Sequence, residues 1–257
     1  MAQTELALYE PARLFQTTKP MGMGGLSNRE LGIDVPRLQL IHAITGPNDI
    51  GRPGQWKLQG QLFDTVPLVV LKGEHYRTLI EGEGKGARTV CASSGGEKPL
   101  DTIANPRDVS CKLCAYSQWS DGVGGKRVAP PCADGIALLT LVLKPAPGSS
   151  VPVQPAWVLC RKAATQKATA LGRQLVDRGA QTFADYQIVM GSEYKKPAGV
   201  GWYEPTFTIG EQTEEYRVVV QYVEQHGISY IPFVTNVGVD APAAAPTPES
   251  DPWEVPV

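Results

Sequence analysis

"GIALLTLVLKP", residues 135–145, decides how the rest of the chain is read. It is the most apolar stretch of the sequence and lacks polar–apolar alternation, which is the pattern of a strand covered on both faces. It is therefore expected to be a central strand. Around it, "VPLVVLKG" (66–73) and "HYRTLIEG" (75–82) read as buried and half-buried strands. "PRLQLIHAI" (36–44) alternates around Leu38, Leu40 and His42, and "QPAWVLC" (154–160) supplies a further strand.

Beyond residue 160 the period changes. Ala164, Ala168, Leu171 and Leu175 recur at helical spacing, and Gly179 provides a C-terminal stop. "FADYQIVMGSEY" and "GWYEPTFTIGE" form a hairpin around "KKPAGV". "TEEYRVVVQYVEQHG" opens on a threonine cap and two acids and closes on Gly227, which predicts a second helix, although its valine run also suits a strand. "ITGPNDIGRPGQW" is a loop. Residues 1–35 read as a poorly ordered arm and residues after about 238 as a Pro/Ala linker and tail without the aliphatic content to pack. Residues 91–132, rich in Gly, Pro, Ser and Lys, are an excursion from the sheet. The expected fold class is α+β, mainly β: one domain over 36–237, built on an antiparallel barrel or an open, curved sheet, with one or two helices. No internal repeat and no βαβ alternation is visible.

The 257 residues are 42% hydrophobic and 19% charged, an ordinary globular composition. No apolar run reaches the ~18–20 residues that span a bilayer, and the start lacks a basic, apolar leader. A soluble, cytoplasmic protein with no membrane partner is expected. The net charge of −2 conceals an asymmetry. Asp240, Glu249, Asp251 and Glu254 stand in the last eighteen residues without a base, so the body carries +2.

Five cysteines in such a chain do not read as a disulfide framework, because the cytosol is reducing. Cys91, Cys111, Cys114 and Cys132 lie in the pattern Cys-x19-Cys-x2-Cys-x17-Cys. Four thiolates match the needs of a tetrahedral structural zinc, and the Cys-x2-Cys turn presents two of them to one ion. The segment has little else to hold it, and a metal supplies folding free energy where a core cannot. Unliganded thiols, a redox or disulfide role, and an iron–sulfur cluster are the other readings. Four protein ligands leave no position for a catalytic water. Cys160, at the end of a strand pattern, reads as a small buried residue.

Catalytic patterns are missing. His42, His75 and His226 form no His-x3-His or His-Glu-x-x-His pair, and there is no phosphate loop of the Gly-x4-Gly-Lys-Ser/Thr kind. "GKGAR" (84–88) and "GMGG" (22–25) are too short to count, and Glu214 and Glu215 are a helix first turn. The chain is expected not to be an enzyme.

Aromatic residues instead recur beside bases. "GRPGQWK" holds Arg52, Trp56 and Lys57; "KGEHYR" holds Tyr76 and Arg77; "RDVSCKLCAYSQW" holds Arg107, Lys112, Tyr116 and Trp119; "EYKKPAGVGWYEP" holds Lys195, Lys196, Trp202 and Tyr203. Single-stranded nucleic acid is gripped by rings that stack on bases and cations that track phosphates. Burial in the core is the ordinary place for any one ring, but Trp56, Trp119 and Trp202 are flanked by Gly and Pro and are expected to be exposed. The bases around the first helix (Arg161, Lys162, Lys167, Arg173, Arg178) also fit a plain solvated face.

A β-rich body, a "C…CxxC…W…C" excursion after "PRLQLIHAITGPN", and an acidic, proline-containing end resemble phage-encoded single-stranded-DNA-binding proteins. The resemblance implies an OB-like barrel, a structural Zn2+ on the four cysteines, and a role in phage DNA replication or recombination in the host bacterial cytoplasm. It implies single-stranded DNA as partner, with RNA left open. The end, "PESDPWEVPV", is similar in kind to the acidic tips of bacterial proteins of that function, but has fewer acids and no final Phe. On this reading Asp251, Trp253, Glu254 and Val257 form a hook for replication or recombination proteins; a frayed terminus with a chance tryptophan is the bland alternative. A zinc-ribbon regulatory or interaction module bound to transcription or replication proteins is the competing function, and the oligomeric state is left open.

Overall fold

The computed structural model describes residue 14 and residues 35–42, 51–81, 88–99, 110–125, 127–143, 153–196 and 201–228. Most of the expected arm over 1–35 and the whole expected tail over 238–257 lie outside the described residues. The fold is α+β and mainly β. Its strands are β1 (Arg37–Leu40), β2 (Trp56–Leu58), β3 (Gln61–Phe63), β4 (Val66–Glu81), β5 (Arg88–Ser94), β6 (Lys98–Pro99), β7 (Ser120–Asp121), β8 (Arg127–Val128), β9 (Cys132–Val142), β10 (Gln154–Arg161), β11 (Tyr186–Lys195) and β12 (Trp202–Gln212). Among the described residues the α-helical segments of more than one residue are α1 (Ala163–Asp177) and α2 (Arg217–Gln225).

A mixed, open sheet of ten strands runs in the order β12-β11-β4-β9-β10-β1-β2-β3, with β5 added to β4 and β6 to β5; β7 and β8 form a separate ribbon. Every described pairing is antiparallel except β1 with β10. The two strands expected over 66–82 are one long strand, β4, broken in register between Val70 and Lys72. That bulge has a consequence for the faces. Val69 and Leu71 point to the outer side of the sheet, and after the shift Tyr76 joins them despite its even number.

The expected central strand, β9, is covered on both sides. Leu138 and Val142 face an inner core shared with Leu38, Trp56, Phe63, Val158, Ile188, Met190 and the Leu171–Leu175 face of α1. Ala137, Leu139 and Leu141 face an outer core closed by Trp157, Tyr216 and the Val219, Val220 and Val223 side of α2. Each of these fully buried aliphatic chains contributes roughly 1.5–3 kcal/mol by leaving water.

Helix α1 ends as its sequence requires. Gly179 takes φ +78°, and Gly179 and Ala180 donate back to the Val176 and Leu175 carbonyls at 2.9 and 3.0 Å. This pair of bonds satisfies the last carbonyls of the helix, and a left-handed residue there strongly favours glycine. Helix α2 closes the same way at Gly227 but starts later than expected. Thr213 accepts from the Glu215 N–H at 3.3 Å, so the threonine and the two acids form a turn, and the helix begins at Arg217. The expected excursion is also narrower: Cys91 sits within β5 and Cys132 heads β9, both in the main sheet, and the described part of the excursion outside that sheet is 110–125 and 127–131.

Candidate nucleic-acid interface

The β11–β12 hairpin pairs Tyr194 with Tyr203 and Lys195 with Trp202 next to the "KKPAGV" loop. The two tyrosine rings tilt against each other at 5.2 Å, with Tyr194 54% exposed. Trp202 is 37% exposed and donates its indole N–H to Glu204 Oε1 at 2.7 Å, which fixes the ring orientation. Lys195 pairs with Glu193 at 3.0 Å, and Lys167 of α1 binds both Glu193 and Glu204, the latter at 3.3 Å. Those contacts hold the Glu193 carboxyl below its usual range, Lys167 having the larger effect. Lys196 is exposed, with no described carboxylate on it.

The second aromatic group lies in the excursion. Trp119 is 55% exposed, and the Arg127 guanidinium stands 5.5 Å from its ring centroid. This ring carries a cation on one side, an arrangement suited to a base–arginine sandwich. Lys112 is exposed nearby and Tyr116 is half-buried. Gln118 braces the turn by donating to the Lys112 carbonyl at 2.6 Å.

Two expected contacts are corrected. Trp56 is only 3% exposed: its ring belongs to the inner core, and its indole N–H donates to the Gly191 carbonyl at 3.2 Å. With Ser192 Oγ donating to the Gly54 carbonyl at 2.5 Å, that bond joins the β1–β2 side of the curled sheet to β11. Tyr76 is fully buried in the outer core and cannot stack on a base. The neighbouring bases are largely neutralised. Arg52 pairs with Asp64 at 2.7 Å, and Arg77 lies 3.7 Å from Asp134 and donates to the Cys111 carbonyl at 3.4 Å. Lys57 is half-buried on β2. Arg107, Asp251, Trp253, Glu254 and Val257 lie outside the described residues.

The thiols gather at one end of β4. Cys91 and Cys132 lie on the strands flanking it, both in register with Leu79, and so share one face. Cys111 is buried, and Cys114 follows in a turn whose N–H donates to the Ser110 carbonyl at 3.1 Å. Burial, then the proximity of Cys91 and Cys111, pushes the Cys132 thiol up to about 11, against the pull of Arg77. All four are free cysteines. Their donor chemistry fits a soft tetrahedral cation. Among the described residues, however, no group of three or more His, Cys, Asp or Glu side chains stands in metal-holding geometry. Cys160 is buried in the inner core, and desolvation pushes its thiol up to about 12, so it stays neutral.

A groove of about 600 Å³ lies between α1 and β4–β9, floored by Ile136, Leu138 and Ala168 and rimmed by His75, Arg173 and Phe183. No helix among the described residues is long and apolar enough to cross a membrane. Compared with known proteins, the chain matches no family model, no curated protein and no solved structure.

Proposed function

We propose that this chain is a non-enzymatic, cytoplasmic single-stranded-DNA-binding protein built on an OB-like barrel, serving DNA replication or recombination. The observation that carries this reading is connectivity. An antiparallel meander β4–β9–β10 leads into α1, and β11–β12 then returns so that β11 pairs with the first strand of the meander. OB folds are five-stranded, partly open barrels that bind oligonucleotides with the face of strands two and three and with the loops joining strands one to two and four to five. Counted this way, the first of those loops is the excursion with Trp119 and the second is the hairpin tip with Tyr194 and Trp202. The two most exposed aromatic groups would then flank one path.

In the same reading Cys91, Cys111, Cys114 and Cys132 hold a structural zinc. Bound there, the ion supplies cross-linking free energy to a segment with one buried described side chain, and it takes no part in a reaction. The acidic end recruits partner proteins.

The test is an anisotropy titration of a labelled ~30-nucleotide single strand against its duplex at two salt concentrations, with zinc measured on the same sample. Single-strand binding that weakens steeply with salt is expected. Trp119→Ala and Trp202→Ala should each weaken it by the worth of one stacked base, ~1–3 kcal/mol, or roughly 5- to 150-fold. Absence of strand binding by a folded, zinc-loaded protein would reject the reading in favour of the protein-interaction module.

A further inference from the structure

Glutamate faces glutamate in the β11–β12 hairpin. Glu193 and Glu204 are in register, two residues from the Lys195–Trp202 pair and so on the same face of the sheet. Like charges directly opposite each other on neighbouring strands are destabilising. Helix α1 supplies the compensation: Lys167 binds both carboxylates, Glu193 through Oε1 and Glu204 through Oε2 at 3.3 Å. The other oxygen of Glu193 takes Lys195 at 3.0 Å, and the other oxygen of Glu204 accepts the Trp202 indole N–H at 2.7 Å. Each carboxylate oxygen of the opposed pair therefore has a cation or a donor.

These contacts are not equal. The Glu204 and Lys167 side chains are 10% and 26% exposed, whereas those of Glu193 and Lys195 are 38% and 45% exposed. A buried carboxylate that loses its partner is left uncompensated at high cost. An exposed ion pair is worth little, so water or another anion replaces one member readily. Lys167 also has the larger hold on the Glu193 carboxyl and Lys195 the smaller. Lys195 can therefore leave Glu193 without stranding it, because Lys167 stays. Lys167, which reads in the sequence as part of a solvated helix face, is an anchor for the two acids. Lys196, one residue beyond, has no described carboxylate on it.

We propose that Glu193 is a displaceable counter-ion for Lys195: a backbone phosphate of the bound strand takes the ammonium from Glu193, while Lys167 retains both carboxylates. This rests on the single-strand reading of the hairpin and names what its lysine holds when no strand is bound. The exchange puts a cation on phosphate next to Trp202, its partner in register on β12, so one nucleotide is held by both its base and its phosphate. In the free protein the Glu193 carboxylate stands where the phosphate will be, and breaking that pair is part of the cost of binding. Affinity is thus set in part by a residue that does not touch the strand.

The test is a mutant cycle read with a labelled oligothymidylate, on wild type, Glu193→Gln, Lys195→Met, Lys196→Met and the two double variants that join Glu193→Gln to each lysine change. Thermal melts check that every member is folded. Glu193→Gln should tighten binding roughly 2- to 5-fold, the worth of one exposed ion pair. That gain should persist alongside Lys196→Met and disappear alongside Lys195→Met, because only a contacting pair couples. Lys195→Met alone should lower the salt slope by ~0.7, the value for one phosphate contact on a single strand. A gain of equal size in all backgrounds would make Glu193 a distant charge and overturn the exchange while leaving strand binding intact. No gain in any background, in proteins that bind the strand, would overturn it as well. If no member of the set binds the strand, the single-strand reading itself fails and the exchange with it.

Discussion

The central sheet and the cysteine segment are held by opposite means. Strands β4, β9 and β10 are covered on both faces, and each alternate residue of β9 belongs to a different core. Over 110–131, Cys111 is the single described side chain that is buried. Hydrophobic burial stabilises the first region many times over, whereas the second is a set of turns carried by backbone bonds and a few polar braces. One chain thus contains a body whose shape follows from apolar area and an appendage whose shape needs another source of free energy.

The sharpest way to break this contrast is to delete the same amount of side chain in both places. Leu139, fully buried between β4 and β10, should cost ~2–5 kcal/mol as Leu139→Ala, through lost transfer energy and a cavity under α2. Leu113→Ala, at a residue 79% exposed, should stay within about 0.5 kcal/mol. Urea denaturation of the two variants checks both, and similar losses would mean that the appendage is packed in solution in a way its surface does not reveal.

The same contrast explains what the sequence disclosed. The apolar run of β9, the Ala164–Leu175 face of α1 and the β11–β12 hairpin were legible because burial and period are local properties. Trp56 was not. Its Gly and Pro neighbours suggest a surface ring, but its position is set by a carbonyl 135 residues away, at Gly191. Tyr76 was misread for a related reason: one bulge after Val70 changes its face, and a glycine on the adjacent strand makes room for its ring. The arginines were counted as available cations, yet Arg52 faces Asp64 across a strand turn that spacing does not reveal. The parallel pairing of β1 with β10 leaves no periodic trace at all.

A smaller effect separates the two cores from each other. Asp185, buried before β11, accepts from Arg217 Nε at 3.1 Å and from Thr182 Oγ1 at 2.7 Å, and so ties α2 to the sheet. Burial alone would raise its pKa, but the bonds from Arg217, Thr182 and the Gln181 and Thr182 backbone N–H groups prevail and lower it to about 2. A folded-state value below the ordinary 3.8 means that the stabilisation is present above pH 4–5 and disappears as pH falls toward 2. Loss on the order of 1–2 kcal/mol is expected across that window, read as a falling Tm. Asp185→Asn should flatten the profile there. If both proteins lose stability in parallel, the clamp on α2 is not the acid-sensitive element.

A change in global stability smaller than the Asp185 effect should come from stripping the proposed zinc, and this is the most informative result for the contrast. Cys91 and Cys132 are anchored in β5 and β9, whose neighbours remain paired with β4 whatever becomes of the thiols. Chelation should therefore shift the main unfolding transition by less than about 1 kcal/mol, while opening 110–131 to protease as a local unit. Cys114→Ser, which leaves both strand cysteines in place, should reproduce the cleavage and abolish zinc binding. Collapse of the whole domain on chelation would mean instead that the outer core depends on the appendage, with the end of β4 as the point where the two are joined.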